Sequence, residues 1–79
     1  MNNTQYDKKK IYKYMSAHHA VYDIRGKYIY KANSAYQPEY EIRGKYIYKA
    51  NNAHPPEFEI RNNKIHKIHS ATQAIYEIR

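Results

Sequence analysis

The chain repeats itself every 18 residues, and this repetition constrains its fold more than any other feature of the sequence. Four units, 9–26, 27–44, 45–62 and 63–79, follow one another without an insertion or a deletion. The shared columns are Ile11, Ile29, Ile47 and Ile65; Ile24, Ile42, Ile60 and Ile78; Tyr22, Tyr40, Phe58 and Tyr76; Lys13, Lys31, Lys49 and Lys67; and Arg25, Arg43, Arg61 and Arg79. A unit this short cannot bury its apolar side chains alone. We therefore expect one repeat domain, 9–79, after an N-terminal cap or tail, 1–8.

Each unit has the pattern of a pair of β-strands. Residues 40–43 read Tyr-Glu-Ile-Arg, an alternation of apolar and charged side chains that is typical of a half-buried strand. Residues 46–49 read Tyr-Ile-Tyr-Lys and are rich in aromatic and β-branched side chains. Gly44 lies between them and suits a tight turn that needs positive φ. With no helical apolar stripe, the sequence predicts an all-β fold of four tandem hairpin repeats.

Two architectures agree with this pattern. In the first, which we prefer, the units stack as the coils of a β-solenoid, because an exact 18-residue period suits one full coil. In the second, about eight short strands form a meander that curls into a small closed barrel, which removes the exposed sheet edges. Both place the isoleucine columns inside and the lysine column outside.

The repeated unit resembles that of small bacterial and phage tandem-repeat proteins. Residues 28–34 read Tyr-Ile-Tyr-Lys-Ala-Asn-Ser, and residues 40–44 close the unit with Tyr-Glu-Ile-Arg-Gly. Units of that type run Tyr-Ile-Tyr-x-Gly-Asn-Ser, then an aromatic residue, an aliphatic residue and a glycine, and some of these proteins are named fibronectin-binding. The likeness covers residues 9–79, although Tyr14, Ala32, Ala50 and Ile68 stand where the pattern has glycine. The resemblance implies a β-repeat fold and no settled activity.

Composition narrows the class of function. The 79 residues include no cysteine, which excludes disulfides, thiolate metal sites and cysteine redox chemistry. Gly26 and Gly44 are the only glycines, so a glycine-rich phosphate loop is excluded, and no serine has an evident base and orienting group. We therefore expect a protein that is not an enzyme. Since no apolar run is long enough for a secretion signal or a membrane span, we also expect a cytoplasmic protein.

The histidines do not predict a metal site. Zinc needs three or four ligands in one shell. His66 and His69 would point to opposite faces of a strand, and His66 takes the place of a tyrosine in its column. His18, His19 and His54 are expected in loops. We predict no metal and no cofactor.

The lysine column is the predicted anion-binding surface. The net charge of +7 favours an anionic partner. Lysines at the repeat period could contact phosphates while neighbouring tyrosines stack on bases. The predicted site consists of Lys13, Lys31, Lys49 and Lys67, of Tyr12, Tyr30 and Tyr48, and of Lys8, Lys9 and Lys10. Because an acid lies two residues before each arginine, we expect the acid and arginine columns to pair between neighbouring units.

Three functions agree with these observations. The first is a non-enzymatic binding module for nucleic acid or another polyanion. The second is a protein–protein interaction module, such as a phage-type inhibitor or a small subunit of a host complex, because tyrosine and arginine are typical of binding hot spots. The third is an adhesin or carbohydrate-binding repeat, which would need an export route. Since Arg79 ends the chain within a strand motif, we expect an open edge or a bare apolar end there, and a homodimer or tighter assembly through that end.

Overall fold

The computed structural model describes residues 5–16, 19–33, 37–50, 55–68 and 73–79. Within these ranges the chain forms eight short strands, and it contains no helix that is long and apolar enough to cross a membrane. The strands are β1 (Lys10–Lys13), β2 (Tyr22–Arg25), β3 (Tyr28–Lys31), β4 (Tyr40–Arg43), β5 (Tyr46–Lys49), β6 (Phe58–Arg61), β7 (Lys64–Lys67) and β8 (Tyr76–Ile78). Each unit contributes two strands, which confirms the all-β hairpin prediction.

The eight strands close into a barrel. Each strand pairs antiparallel with the next along the chain, and β8 returns to pair with β1, where Ile11 lies opposite Ile78. The closed barrel, the second of the two predicted architectures, is therefore confirmed. The solenoid stack that we preferred is wrong.

The strand order explains why the units do not stack as a solenoid. In a solenoid, strands of the same column lie side by side, so β3 would neighbour β5. In the barrel β4 lies between them, because every connection reverses the chain direction. The 18-residue period therefore repeats around the barrel axis and not along a stack. Closure also pairs β1 with β8, which a short stack of coils would leave as free edges.

Isoleucine side chains fill the barrel in two layers. Strand alternation turns one isoleucine of each strand inward. The eight isoleucines of the two columns are between 1% and 5% exposed. Within a hairpin the two layers meet, as where Ile42 lies opposite Ile47. Burial of each side chain contributes roughly 1.5–3 kcal/mol, and the prediction that the isoleucine columns lie inside is confirmed.

Two-residue turns join the strands of three hairpins. Gly26 and Gly44 take the first turn position with φ of +63° and +61°, where a side chain would be strained. Asn62 and Asn63 form the third turn with φ of 52° and 65°, a region that asparagine tolerates. Positive φ at the first position alone is typical of a type II′ turn, and positive φ at both positions of a type I′ turn. Both types match the twist of the strands they join.

The segment before β1 folds back over the end of the barrel that carries these turns. The amide of Lys9 donates to the carbonyl of Tyr6 at 3.0 Å, and the amide of Gly26 donates to the carboxylate of Asp7 at 2.6 Å. Tyr6 packs against the isoleucine core. A tyrosine therefore contacts the interior at the end where the hairpins turn.

The C-terminal strand is not an open edge. Lys10 donates its amide to the carbonyl of Arg79 at 3.0 Å, and Arg79 returns a hydrogen bond at 2.8 Å. The expected open edge is wrong, because β8 already pairs with β1 of the same chain. A homodimer through this end stays a prediction, without the open edge as its reason.

Candidate anion-binding surface

Four lysines surround one end of the barrel. Each is the exposed last residue of an odd-numbered strand, and they are Lys13, Lys31, Lys49 and Lys67. Alternate strands run in the same direction, so these four strands finish at the same end of the barrel. We call it the connection end, because the connections between hairpins begin there. We call the four residues the lysine ring.

Four aromatic side chains close the barrel at the connection end. We call them the aromatic quartet, and they are Tyr22, Tyr40, Phe58 and Tyr76. They pack edge to face in a closed cycle, with ring centroids 5.7 to 6.3 Å apart and interplanar angles of 76° to 82°. This geometry sets the positive edge of each ring against the negative face of the next. The cavity between the quartet and the adjacent isoleucine layer is about 10 Å³, barely the space of one water molecule.

The lysine ring and the aromatic quartet share one face of the sheet. Each lysine lies directly opposite one aromatic residue, and the pairs are Lys13 with Tyr76, Lys31 with Tyr22, Lys49 with Tyr40 and Lys67 with Phe58. Residues directly opposite each other project from the same face. The quartet faces the interior, so the lysine side chains leave their strands on that side and reach solvent past the rings. The connection end is therefore an aromatic floor with four ammonium groups around it.

Burial in the aromatic quartet keeps the phenol groups of Tyr22 and Tyr40 protonated at neutral pH. Burial, followed by the neighbouring phenols Tyr76 and Tyr40, raises the pKa of Tyr22 above its usual range. A hydrogen bond with Tyr76 acts in the same direction. Burial and then the carboxylate of Glu57 raise the pKa of Tyr40. The hydroxyl groups of Tyr22 and Tyr40 therefore keep their protons and can donate hydrogen bonds.

Carboxylates neutralise cations on the outer wall of the barrel. Glu41 contacts Arg43 and Lys27, each at 3.2 Å. Burial opposes ionisation of Glu41, but hydrogen bonds from Arg43 and Lys27 outweigh it and lower the pKa of the carboxyl group. Among the described residues, Glu59 likewise pairs with Arg61 and Lys45, Glu77 with Arg79, and Asp23 with Lys10.

The lysine ring has no such partners among the residues that the structure describes. None of its ammonium groups lies within ion-pair distance of a described carboxylate. Glu39 and Glu57 lie just before β4 and β6 at the same end, and both are exposed. Four ammonium groups therefore face two described carboxylates, and this end keeps a positive excess.

The predicted tyrosines lie apart from the lysine ring, on the outer wall. Strand alternation turns them away from the barrel interior. An arginine covers one face of each ring, with centroid distances of 4.5 Å for Arg25 on Tyr30, 4.4 Å for Arg43 on Tyr48 and 4.3 Å for Arg79 on Tyr12. The structure therefore does not bring the lysine and tyrosine columns onto one surface. Base stacking on these three rings stays a prediction.

The N-terminal lysines also lie apart from the lysine ring. Lys8 and Lys9 are exposed beside the first hairpin turn, where the amide of Lys8 donates to the carbonyl of Ile24 at 3.0 Å. Lys10 begins β1 and pairs with Asp23 at 2.9 Å. The length of β1 separates these three residues from the connection end.

The arginines pair differently from the prediction. Arg43 contacts Glu41 of its own strand, and Arg61 and Arg79 likewise contact the acid two residues earlier. Pairing between neighbouring units is wrong for these three arginines. The cause is strand order, because β5 lies between β4 and β6 and presents tyrosines, not acids, to the outer wall.

Sequence reasoning missed the phenol groups beside the lysine ring. Tyr22 precedes Lys31 by nine residues, whereas the repeat columns relate only residues that are 18 apart, so the columns alone do not show that these two residues are neighbours. The signal that could have found the pair is the two-residue turn at Gly26, because a turn of known length fixes which residues lie opposite. The same rule applies to the other hairpins.

The structure describes only part of the predicted histidine set. His18, His54 and His69 lie outside the described residues. His66 lies on β7 opposite Glu59. Among the described residues, no three histidine or acidic side chains are grouped as metal ligands.

Comparison with known proteins finds no relative of this chain. No family model matches it, and no curated protein or solved structure matches it. The resemblance to small bacterial and phage tandem-repeat proteins stays a prediction.

Proposed function

We propose that the protein is a non-catalytic binding module for polyanions, with nucleic acid as the leading ligand and the lysine ring as the contact surface. The observation that carries the proposal is a difference between two sets of cations. Six cations outside the ring pair with carboxylates, whereas the ring lysines have no ion-pair partner among the described residues. Phosphate binding is favourable for such lysines, because each contact releases counterions from the polyanion.

The side chains of the lysine ring suit phosphate more than base contacts. A lysine ammonium group binds phosphate as a point charge on a flexible stem. Sequence recognition needs side chains that reach the base edges in a groove. Among the described residues, no helix or pair of strands projects from the connection end to enter a groove. Binding is therefore expected to tolerate different sequences and to depend strongly on salt.

Replacing all four ring lysines with glutamine is expected to weaken binding of a fluorescent single-stranded oligonucleotide by about 100-fold or more at low salt, because about four phosphate contacts are lost. The slope of log Kd against log salt should decrease by about 3, since each phosphate contact on a single strand contributes about 0.7. Fluorescence anisotropy over a series of salt concentrations measures both quantities.

A matched control changes the net charge equally without touching the lysine ring. It replaces Lys10, Lys27, Lys45 and Lys64 with glutamine. Three of these lysines already have carboxylate partners, so this variant should keep most of the affinity and of the salt slope. Equal losses in both variants would assign binding to net charge, and no binding by the unaltered protein at low salt would refute the proposal.

A protein–protein interaction module is the second candidate, and the stacks of arginine on tyrosine favour it. In one of them Arg43 lies 4.4 Å from the ring centroid of Tyr48 and also contacts Glu41. A guanidinium group held from two sides loses less freedom on binding, and both residue types are enriched in binding hot spots. A stoichiometric protein partner that survives nuclease treatment and is lost in Arg43→Ala would favour this function.

A further inference from the structure

The lysine ring and the aromatic quartet have a common centre on the barrel axis. The fourfold repetition places one lysine opposite each aromatic residue, so four flexible ammonium groups surround the quartet. All four ammonium groups can approach the barrel axis equally, so a ligand above the centre of the quartet is within reach of each of them. The half-buried phenols of Tyr22, Tyr40 and Tyr76 lie around this point, and Phe58 occupies the fourth position without a hydroxyl group.

We propose that this axial site binds one compact oligophosphate, with the lysine ring around the anion and the phenol hydroxyls donating to its oxygens. The inference rests on the proposed function and names its ligand class. Hydrogen bonds to a charged acceptor are about twice as strong as those between neutral groups. The raised pKa of Tyr22 and of Tyr40 keeps both hydroxyls protonated, as donation requires.

The apolar core fixes the depth at which the anion binds. The space between the quartet and the isoleucine layer is about 10 Å³ and is lined by carbon atoms of the side chains. A phosphate group cannot enter it, so the ligand must lie on the outer side of the quartet. Charges interact more strongly beside such a water-free floor than in bulk water.

Nearby carboxylates select for anions with several charges. The charge of Glu57 acts on the hydroxyl of Tyr40, and that of Glu39 acts on both Tyr22 and Tyr40. An anion on the axis is therefore repelled by two carboxylates while it is attracted by four ammonium groups. For an anion with one charge, the attraction exceeds the repulsion only slightly. A tripolyphosphate is bound more strongly, because it contacts several ammonium groups at once.

Calorimetric titration with inorganic tripolyphosphate at constant ionic strength tests the inference. One ion per chain is expected to bind, with orthophosphate binding at least about tenfold more weakly. Tyr22→Phe should weaken tripolyphosphate binding about tenfold, because it removes a hydrogen bond to a charged group. Phe58→Tyr, which adds the missing hydroxyl, and Glu57→Gln, which removes a carboxylate, should each strengthen it. Tyr28→Phe removes a hydroxyl from the outer wall and should change nothing.

Several outcomes separate this inference from the proposed function. Binding of several ions per chain, or equal affinities in Tyr22→Phe, Phe58→Tyr and Tyr28→Phe, would overturn the axial site. If oligonucleotide binding still required the lysine ring, the proposed function would stand. If the protein bound neither tripolyphosphate nor the oligonucleotide through these residues, both the axial site and the proposed function would be refuted. A preference for oligonucleotides with a 5′-triphosphate over those with a 5′-hydroxyl would assign the oligophosphate to a nucleic-acid end, and equal binding would assign it to a free ion.

Discussion

Ile47→Ala is expected to lower the free energy of unfolding by about 2–5 kcal/mol. Ile47 is only 1% exposed, and it lies opposite Ile42 on one side and Phe58 on the other. Hydrogen-bonded strands on both sides hold the resulting cavity open, so the neighbouring side chains cannot fill it. A small domain has a total stability of about 5–15 kcal/mol. Urea denaturation followed by circular dichroism measures the change.

Ile75→Ala is the matched control for this substitution. Ile75 comes just before β8 and is 37% exposed. Its amide donates to the carbonyl of Ile65 at 2.8 Å, a hydrogen bond that alanine retains. The change in the free energy of unfolding should stay within about 0.5–1 kcal/mol. Equal losses in the two variants would contradict the layered isoleucine core.

Deleting residues 76–79 is expected to abolish the cooperative folding of the monomer. The deletion removes Tyr76 from the aromatic quartet and Ile78 from the core, and it leaves β1 and β7 each with one unpaired edge, since they then pair only with β2 and β6. Exposed edges of this kind promote aggregation. In a solenoid, loss of the last strand would only shorten the stack. Thermal melting and size-exclusion chromatography should show no folded monomer.

A circular permutant is the control for this deletion. It begins at residue 76, joins Arg79 to Lys10 through Asn-Gly and ends at residue 75. Because it lacks residues 1–9, which include the core contact of Tyr6, it is compared with an unpermuted chain that lacks the same residues. The two added residues suit the turn of a β-hairpin, so β8 can precede β1 and still pair with it. The permutant should unfold cooperatively as a monomer. A folded monomer after the deletion alone would mean that the pairing of β8 with β1 is not needed.

The repeat columns predict the interior of the fold but not its closure. Ile24 and Ile29 are inward-facing in either architecture, because alternation along a strand decides which side chains are buried. Closure depends on twist and stagger added up over eight strands. This is a property of the whole sheet, and no single column carries it. The exact 18-residue period is equally compatible with units that rotate around a barrel axis and with units that are translated along a solenoid.

The lysine column predicts an exposed surface, but not which side chains accompany it. Tyr30 and Lys31 are adjacent in sequence, so a strand turns them to opposite faces. The arginine that covers Tyr30 comes from the other strand of the hairpin. Tyr22 is distant in sequence but lies directly opposite Lys31. Register therefore decides the composition of the site, and register depends on the length of each turn.

A disulfide between positions 10 and 79 tests the closed barrel most directly. The chain has no cysteine, so Lys10→Cys with Arg79→Cys introduces the only two thiols. These positions exchange two backbone hydrogen bonds of 3.0 and 2.8 Å, and such pairs have Cα atoms about 5.5 Å apart, within the range that a disulfide bridges. Mild oxidation of a closed barrel should give a bridged monomer with raised resistance to urea. Free thiols, or only dimers linked between chains, would contradict the pairing of β8 with β1.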